Sequence, residues 1–403
     1  MFRKRGYNIK NFRFSLLIVI CMLSSIGLVV LRSLTVNQNQ TMFKKQLLGV
    51  AAGLFILLIV SLFDYHWIGK LCIPLYIFNI LLMLFCKFVD RSMSPKLYGK
   101  SVDQARRWIH IGNPNGGLDI MPSEITKIVI IVCLARLFVF MEGKINKVSS
   151  LALIALVSSV PVLLVFMQPD LSTSIVIMAT ILIMLFIAGL SLKIVIPFLC
   201  ITIPGIIAFI WYIQQDFGSK LLKPWQRDRI ISLLHPEDYP DLMYQQNNAK
   251  AAIKAGKIFG KMITAPGDKR LTDYVPVVES DFIFSAVGEE LGFVGTMLVV
   301  ILFLAFLFIS LHIALEAKDK LGKYIAAGIA VMITIQAFVN IGVVLSLLPN
   351  TGIPLPFMSN GLSSLLTNFM VVGILLNIGM QNKDVNPVDD DVIVFGKYHK
   401  QEI

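Results

Sequence analysis

The acidic residues between Val275 and Gly295 are the first candidates for chemistry, because four carboxylates stand beside an apolar run. The stretch reads VPVVESDFIFSAVGEELGFVG and continues into TMLVVILFLAFLFISL. Asp281 lies where the polar segment meets this run, and partial burial there would raise the pKa of its carboxyl group, whereas adjacent Lys or Arg would lower it. We therefore identify Asp281 as a candidate proton acceptor. Glu289 and Glu290 lie about two turns deeper, so we expect them to face other helices and find polar or ionic partners.

The motif QARRWIHIG places Arg106 and Arg107 directly before Trp108. Guanidinium groups match phosphate oxygens in geometry, and an indole ring offers a stacking face for a sugar or a lipid headgroup. An aromatic belt at the membrane surface explains Trp108 equally well. These three residues alone do not decide between an anion site and a membrane anchor.

A second basic stretch begins at KPWQRDRIISLLHPED, whose apolar positions predict a short amphipathic helix lying on the membrane. Arg227 would then lie near the lipid headgroups. NNAKAAIKAGKIFGK follows and predicts another helix, which carries Lys254 and Lys257. A bound anion explains this basicity, and attraction to anionic lipid headgroups is the alternative.

Three further polar motifs favour structural roles. In MPSEITK, Glu124 precedes Lys127 by three residues, a spacing that favours an ion pair on one helix face. In QPDLSTS, the proline stops one helix and Asp170 can cap the next. LPNTGIPLPFMSNGLSS cannot continue a helix and is a candidate wall of a cavity; we count its Ser359 among the polar groups that support the site.

These residues must be positioned by membrane helices. The 403-residue chain is 56% hydrophobic and only 15% charged, against about 25% charged residues in soluble domains. Apolar runs of about 20 residues, the length of a spanning helix, recur along almost the whole sequence. They are continuous rather than alternating, which excludes a membrane β-barrel. The sequence therefore predicts an all-α polytopic membrane protein.

We predict about ten spans. They lie at 14–33, 46–63, 68–87, 124–141, 149–167, 171–190, 194–213, 282–312, 322–347 and 361–381. Short basic loops place both termini in the cytoplasm and the longer segments 88–123 and 214–281 outside, the larger of them between helices 7 and 8. Residues 1–382 form the transmembrane domain in this interpretation, and 383–403 form a short cytoplasmic tail.

The motifs also carry a resemblance to a known family. ARRWI, PSE, QPDLST, PWQRDRI, DFIF with GEELGFVG, and LPNTGIPLPF with SSLL occur in this order. In order and spacing they resemble the SEDS family of RodA, FtsW and SpoVE proteins, from the first span to the tenth. DFIF with GEELGFVG and TGIPLPF with its following serines are very specific together.

This resemblance implies a peptidoglycan glycosyltransferase that polymerises lipid II, an undecaprenyl-diphosphate-linked disaccharide peptide, at the outer face of the bacterial cytoplasmic membrane. It implies a class B penicillin-binding protein as partner, and we expect no nucleic-acid partner. The family's essential aspartate corresponds to Asp281 and its functionally important tryptophan to Trp108. The remaining correspondences are the PSE glutamate and lysine with Glu124 and Lys127, and the paired glutamates with Glu289 and Glu290.

The chain also departs from the family pattern. Where relatives have a glycine-rich AIGSGG, this sequence has AIKAGK, so Lys254 and Lys257 replace glycines. Asn360 and Leu362 replace a tyrosine and a glycine in the SYGGSS segment, and the residues before Asp281 differ. These changes cluster on the predicted substrate side and bear on substrate details and on the level of activity.

The resulting hypothesis makes Asp281 the general base that deprotonates an attacking sugar hydroxyl. Arg106, Arg107 and basic residues of the 214–281 loop, including Arg227, Lys254 and Lys257, are candidates for diphosphate and glycan contacts, with Trp108 lining the cavity. A divalent cation, Mg²⁺ or Mn²⁺, could assist, although no dedicated set of metal ligands is apparent. A flippase for the same lipid and a catalytically weak scaffold for a penicillin-binding protein remain as alternatives.

Overall fold

The computed structural model describes residues 11–35, 40–90, 92–94, 96–102, 105–113, 116–215, 224–350 and 352–381. The first ten residues and the predicted tail 383–403 lie outside the described residues. The helices are α1 (Phe14–Thr35), α2 (Thr41–Ser61), α3 (Tyr65–Lys70), α4 (Cys72–Phe88), α5 (Pro122–Phe140), α6 (Val148–Met167), α7 (Leu171–Ile187), α8 (Leu192–Gln214), α9 (Pro224–Leu234), α10 (Pro240–Ala255), α11 (Lys261–Thr264), α12 (Ile283–Glu316), α13 (Lys320–Val344) and α14 (Leu362–Met380).

Helices occupy every segment for which a span is predicted. Among the described residues, α1, α2, α6, α8, α12, α13 and α14 are long and apolar enough to cross a bilayer. The apolar helices α4 and α7 are shorter, at 17 residues each, and α5 carries Glu124, Lys127 and Arg136 within its 19 residues. The helical polytopic class is confirmed, whereas the count of ten spans stays a prediction.

The centre of the bundle is formed by α5, α13 and α14. Most residues of α5 are buried. α13 packs against α12, α7 and α5, and α14 packs against α2. Helix α8, by contrast, lies at the outside of the bundle, because its most apolar stretch has no buried residue. Apolar side chains all round α8 therefore face the space that lipid fills.

A three-stranded antiparallel sheet lies within the predicted loop 88–123, and the sequence analysis did not predict it. Its strands β1 (Leu97–Val102), β2 (Ala105–Asn113) and β3 (Gly116–Ile120) pair in chain order. A Cβ at Gly99 would lie 2.0 Å from the carbonyl oxygen of Cys86, so β1 lies directly on the end of α4. The sheet thus closes that end of the bundle.

The long predicted loop 214–281 contains the two expected helices, with one boundary different. The amphipathic helix is α9, and the following helix α10 ends at Ala255 rather than continuing through NNAKAAIKAGKIFGK. The chain turns after Gly256 because Lys257 adopts a φ of 51°, which an α-helix does not contain.

Helix α12 bends sharply within its length. Gly292 has φ 68° and ψ −162°, so the helical residues before and after it are two separate pieces. The piece before Gly292 is buried almost throughout and contains Glu289 and Glu290, whereas the long piece after it is apolar. A left-handed φ at this position requires glycine.

Candidate functional site

Asp281 stands at the entrance of α12, in a turn that its own backbone closes. Its amide donates to the carbonyl of Val277 over 3.2 Å, and Val277 has a positive φ of 57°. The carbonyl of Asp281 accepts a 2.7 Å hydrogen bond from Asn340 Nδ2 on α13. The backbone of Asp281 is therefore held from two sides, and its side chain is half-buried.

The segment before α14 forms one wall around the Asp281 side chain. A Cβ added at Gly352, whose φ is 68°, would lie 3.1 Å from Asp281 Oδ2, so the carboxyl group lies against this glycine. Asn340 Nδ2 also donates to the carbonyl of Ile353 over 2.6 Å. One buried amide on α13 thus fixes the carboxylate-bearing turn and the wall opposite it.

Ser359 ties the same two segments together. Its hydroxyl donates to the carbonyl of Ser280 and accepts a 2.7 Å hydrogen bond from the amide of Leu355. The amide of Asn360 donates to the carbonyl of Glu279 over 2.8 Å. Ser359 is therefore a polar support for the turn that carries Asp281.

A buried polar chain links α5 to this wall. Lys127 Nζ lies 2.9 Å from Glu124 Oε2 and donates to Gln336 Oε1 over 2.7 Å. Gln336 Nε2 in turn donates to the carbonyl of Pro354 over 3.0 Å. Because an unpaired buried charge would be costly, this ion pair fixes how α5, α13 and the wall lie relative to one another.

Arg107 reaches the site because β2 contains a bulge. Lys100 of β1 pairs with Trp108, and the next residue, Ser101, pairs with Arg106, so Arg107 is an extra residue in the ladder. Bulges redirect side chains. The Arg107 Nε group donates to the carbonyl of Gln168 over 3.3 Å, and its Nη2 group donates to the carbonyl of Pro169.

Asp170 follows directly and is buried at the start of α7. Its Oδ1 accepts from the amide of Thr173 over 3.2 Å, which caps the helix, and its Oδ2 accepts from Ser123 Oγ over 3.3 Å. The QPDLSTS turn therefore brings a carboxylate and the Arg107 guanidinium to one place.

The electrostatics of Asp281 reflect these neighbours. Burial raises the pKa of Asp281 to about 6; a side-chain hydrogen bond with Ser280 and the charge of Arg107 lower this pKa, while Glu279 and Asp170 raise it further. At neutral pH the group is a carboxylate with more proton affinity than an exposed aspartate. This combination suits a general base.

The other basic candidates have different surroundings. Arg106 forms an ion pair with Asp90, and Arg227 Nε donates to the carbonyl of Ile213 over 2.8 Å. Lys254 and Lys257 are exposed on α10 and the turn after it. Within the described residues, no hydrogen bond or ion pair joins any of these four side chains to Asp281.

Trp108 is half-buried on β2, one residue beyond Arg107. Its carbonyl accepts a 3.5 Å hydrogen bond from the Cys86 thiol. The backbone of Trp108 is thereby fixed against α4, close in sequence to the bulge that redirects Arg107.

Glu289 and Glu290 are fully buried and attach the preceding loop to α12. Glu289 Oε1 lies 2.6 Å from Lys261 Nζ, and its two oxygens accept from the amides of Leu271 and Thr272 over 2.7 and 2.8 Å. Glu290 receives two hydrogen bonds from the Arg270 guanidinium, of 2.7 and 3.2 Å. Both carboxylates act as anchors for the loop that leads to Asp281.

The sequence analysis missed Asn340, Gln336 and Gly352. Two amide side chains four residues apart in the largely apolar second half of α13 are a detectable signal, because polar groups in a spanning helix face the bundle and find partners. Nothing in the sequence pairs Gly352 with Asp281. For metals, no group of three or more His, Cys, Asp or Glu side chains that could hold an ion occurs in the described part of the chain.

The fold and this site define a polytopic membrane protein with a basic carboxylate beside an arginine at one end of its helix bundle. The family model for FtsW, RodA and SpoVE, described as cell cycle protein, matches residues 12–384. The chain belongs to this family.

Individual relatives agree. The chain is 31% identical to a probable peptidoglycan glycosyltransferase FtsW of Trichlorobacter lovleyi over 93% of this chain and 95% of that protein. It is 32% identical to the stage V sporulation protein E of Bacillus subtilis, over 91% and 97%.

Solved structures share the fold. One is a chain from work on the structural coordination of polymerization and crosslinking by a peptidoglycan synthase complex, with a TM-score of 0.73 at 25% identity over 91% of this chain and 97% of that one. Another is the rod shape determining protein RodA of Thermus thermophilus, with a TM-score of 0.65 at 23% identity over 91% and 96%.

Proposed function

We propose that this chain is a peptidoglycan glycosyltransferase that polymerises lipid II into glycan strands, with Asp281 as the general base. The observation that carries the proposal is the half-buried carboxyl group of Asp281, whose pKa is raised to about 6 beside Arg107 and Asp170. Family membership over residues 12–384 supports the reaction class.

The substrate's chemistry explains why a base and a cation suffice. The donor sugar is linked through its anomeric carbon to a diphosphate, which is a good leaving group. A sugar hydroxyl attacks that carbon, the bond to the diphosphate oxygen breaks, and the hydroxyl proton passes to the Asp281 carboxylate. A glycosidase, by contrast, needs a second carboxyl group as general acid. A single displacement inverts the configuration at the anomeric carbon.

Arg107 is the cation best placed to bind the diphosphate. A guanidinium has five N–H donors, and within the described residues the Arg107 guanidinium donates to backbone through its Nε and Nη2 groups, which leaves further N–H groups for a ligand. Trp108, the next residue, offers a stacking face for a sugar ring. Arg106 and Arg227, which bond to Asp90 and to the Ile213 carbonyl, would contribute to the basic surroundings rather than to the reacting atoms.

A divalent cation fits this arrangement. Mg²⁺ is usually held by one or two carboxylates together with substrate phosphates, and the site offers the carboxylate of Asp281 and that of Asp170, whose charge acts on Asp281. A bound Mg²⁺ or Mn²⁺ would neutralise charge on the leaving diphosphate. Asp170, held by Ser123 and the α7 amide, would serve as the fixed carboxylate.

The proposed setting is the bacterial cytoplasmic membrane, with the Asp281 end of the bundle facing outward. Short loops rich in lysine at the other end support this orientation. The proposed partner is a class B penicillin-binding protein that crosslinks the new strands, supported by the similarity to a chain of a peptidoglycan synthase complex.

The test uses purified full-length protein in detergent with lipid II. The Asp281→Asn variant should fold and bind lipid II but make no glycan, because an amide cannot accept the proton. Robust polymerisation by this variant would reject the role of Asp281.

The same assay separates the two alternatives. A flippase would release no glycan from lipid II in detergent, where no membrane has to be crossed. A scaffold would also make none while still binding a penicillin-binding protein. Glycan formed by the wild-type chain and lost on Asp281→Asn therefore excludes both.

A further inference from the structure

The turn between α10 and α11, together with α11 itself, exposes large apolar side chains, although neither crosses the membrane. Ile258, Phe259 and Ile263 are 59%, 57% and 71% exposed. Phe293 and Val294 of α12 lie beside this turn and are also exposed. A continuous apolar surface of this kind marks a contact with another phase or partner.

Backbone hydrogen bonds fix this turn to one level of α12. The Phe293 amide donates to the carbonyl of Lys257 over 2.9 Å, and the Val294 amide donates to the carbonyl of Ile258 over 3.1 Å. The amides of Phe293 and Val294 can bond to the turn because the helix breaks at Gly292. The height of the turn relative to a bilayer therefore follows from the height of Phe293.

The sequence of α12 places Phe293 at the edge of the hydrocarbon core. Residues 293–315 contain no Asp, Glu, Lys or Arg, whereas Glu289 and Glu290 stand just before them. About 20 apolar residues cross the core, so this run fills it and its edge lies near the helix break. Ile258 and Phe259 are thus at the boundary between hydrocarbon and headgroups.

The turn is held rigidly at that boundary. A Cβ at Gly256 would lie 1.9 Å from the carbonyl oxygen of Gly288, and one at Gly260 would lie 2.1 Å from that of Glu290. The Lys261–Glu289 ion pair holds the far side. The backbone that carries the apolar side chains is consequently fixed relative to α12.

Two lysines flank the apolar side chains. Lys254 and Lys257 are exposed, and within the described residues neither side chain has a hydrogen-bond or ion-pair partner, unlike the side chain of Lys261. Lys257 keeps a left-handed φ of 51°, which is costly for a residue with a side chain. Cations above an apolar surface at the headgroup level match anionic phospholipid.

We propose that residues 254–263, the interfacial turn, form a binding site for anionic phospholipid in the leaflet at the Asp281 end of the bundle. Phe259 and Ile263 enter the outer edge of the acyl chains, and the ammonium groups of Lys254 and Lys257 contact headgroup phosphate. The site is built on α12 and is independent of the reaction proposed for Asp281.

The test replaces Phe259 with benzoylphenylalanine in the full chain, reconstituted in nanodiscs of equal phosphatidylcholine and phosphatidylglycerol. Irradiation and mass spectrometry then identify the adducts. We expect lipid adducts enriched in phosphatidylglycerol over the bulk ratio. Lys254→Glu and Lys257→Glu should each reduce that enrichment by roughly fivefold.

Three controls define the result. Benzoylphenylalanine at Phe308, which is 67% exposed on the middle of α12, should give lipid adducts without headgroup enrichment. Lys269→Glu makes the same charge change on the same loop and should keep the enrichment. Melting temperatures confirm that each variant is folded.

Other outcomes would overturn the proposal. A bulk ratio of lipids at Phe259 would mean a neutral membrane contact. Enrichment of lipid II adducts, when lipid II is added, at the expense of phosphatidylglycerol would assign the lysines to substrate. Adducts with a co-purified penicillin-binding protein in place of lipid would make the turn a protein interface.

Discussion

At the scale of single residues, the structure gives aspartates in this chain opposite properties according to their partners. Asp64 has its pKa lowered, chiefly by hydrogen bonds from His66 and Gln381 that outweigh its burial. Burial dominates the pKa of Asp281, and a side-chain hydrogen bond with Ser280 lowers this pKa only in part. A base must be deprotonated and still attract a proton, and only the second environment provides this.

This pKa predicts the pH dependence of polymerisation. The carboxylate of Asp281 is the active form, so kcat/KM should be constant above about pH 6 and fall as the group is protonated below it. The fall should approach roughly tenfold per pH unit. Initial rates of glycan formation across this range measure it, and a profile that is flat through pH 6 would contradict it.

Asn340 is the positioning residue that the structure adds. Its amide donates to the carbonyls of Asp281 and Ile353, and Asn340→Ala leaves these buried acceptors unsatisfied at a cost of about 1–3 kcal/mol. We expect kcat to fall while KM changes little, because Asn340 holds the base rather than the substrate.

The matched control is Thr334→Ala on the same helix, because the Thr334 hydroxyl donates to the carbonyl of Ala330 within α13 and to no other group in the part of the chain that the structure describes. It should leave both kcat and the melting temperature near wild-type values. An equal loss in both variants would show that α13 tolerates no truncation and would remove the specific role of Asn340.

At the scale of elements, close contact between backbones joins α10 to α12. Gly256 and Gly260 lie against Gly288 and Gly292 with no room for a Cβ. Because glycine has no side chain, the two backbones can approach this closely. The contact carries the loop that ends at Asp281.

Gly256→Ala should separate these segments. The added Cβ would meet the Gly288 carbonyl, which is backbone and cannot move aside, so we expect a loss of about 1–3 kcal/mol in stability together with reduced polymerisation. Gly205→Ala is the control, because nothing lies within 4 Å of that position. A lower melting temperature in both variants would contradict the argument.

At the scale of the whole molecule, a cluster of polar side chains at the end opposite Asp281 links three segments that lie between or after the spanning helices. His66 lies between Asp64 and Asp319, with both ring nitrogens 2.6 Å from a carboxylate oxygen. Asp319 caps α13 through the Gly322 amide, and Asp64 accepts from Gln381 after α14. An imidazolium with two carboxylates thus connects α3, α13 and the end of α14.

This cluster predicts a loss of stability in alkali. Although burial opposes the charged form, hydrogen bonds and charges of Asp319 and Asp64 raise the pKa of His66 from 6.5 to about 9. A histidine with a raised pKa contributes its full stabilisation below the unfolded pKa of 6.5, and this contribution is lost as pH rises through about 9. The contribution of His66 to the free energy of unfolding has an upper bound of about 3 kcal/mol.

The measurement is the melting temperature of the detergent-solubilised chain against pH. The wild-type value should step down between pH 6.5 and about 9, whereas His66→Gln should be less stable than wild type at low pH and lack this step. His312→Gln, an exposed histidine on α12, should keep the step. A step that survives in His66→Gln would refute the assignment.

Local sequence was sufficient for the membrane class and the helical segments, and it singled out Asp281 as a candidate. Apolar runs report burial in lipid directly, and an acidic residue at the mouth of such a run is noticeable without any knowledge of its neighbours. α9 was likewise predicted, because its apolar positions repeat with a helical period.

Tertiary structure alone decided which groups surround Asp281. The bulge at Arg107 exists only because β2 pairs with β1, and the end of α10 depends on the breaks at Lys257 and Gly292 meeting each other. Asn340 and Gly352 contact Asp281 although both lie far from it in the sequence. Such contacts depend on the folded arrangement of helices, which local periodicity does not encode.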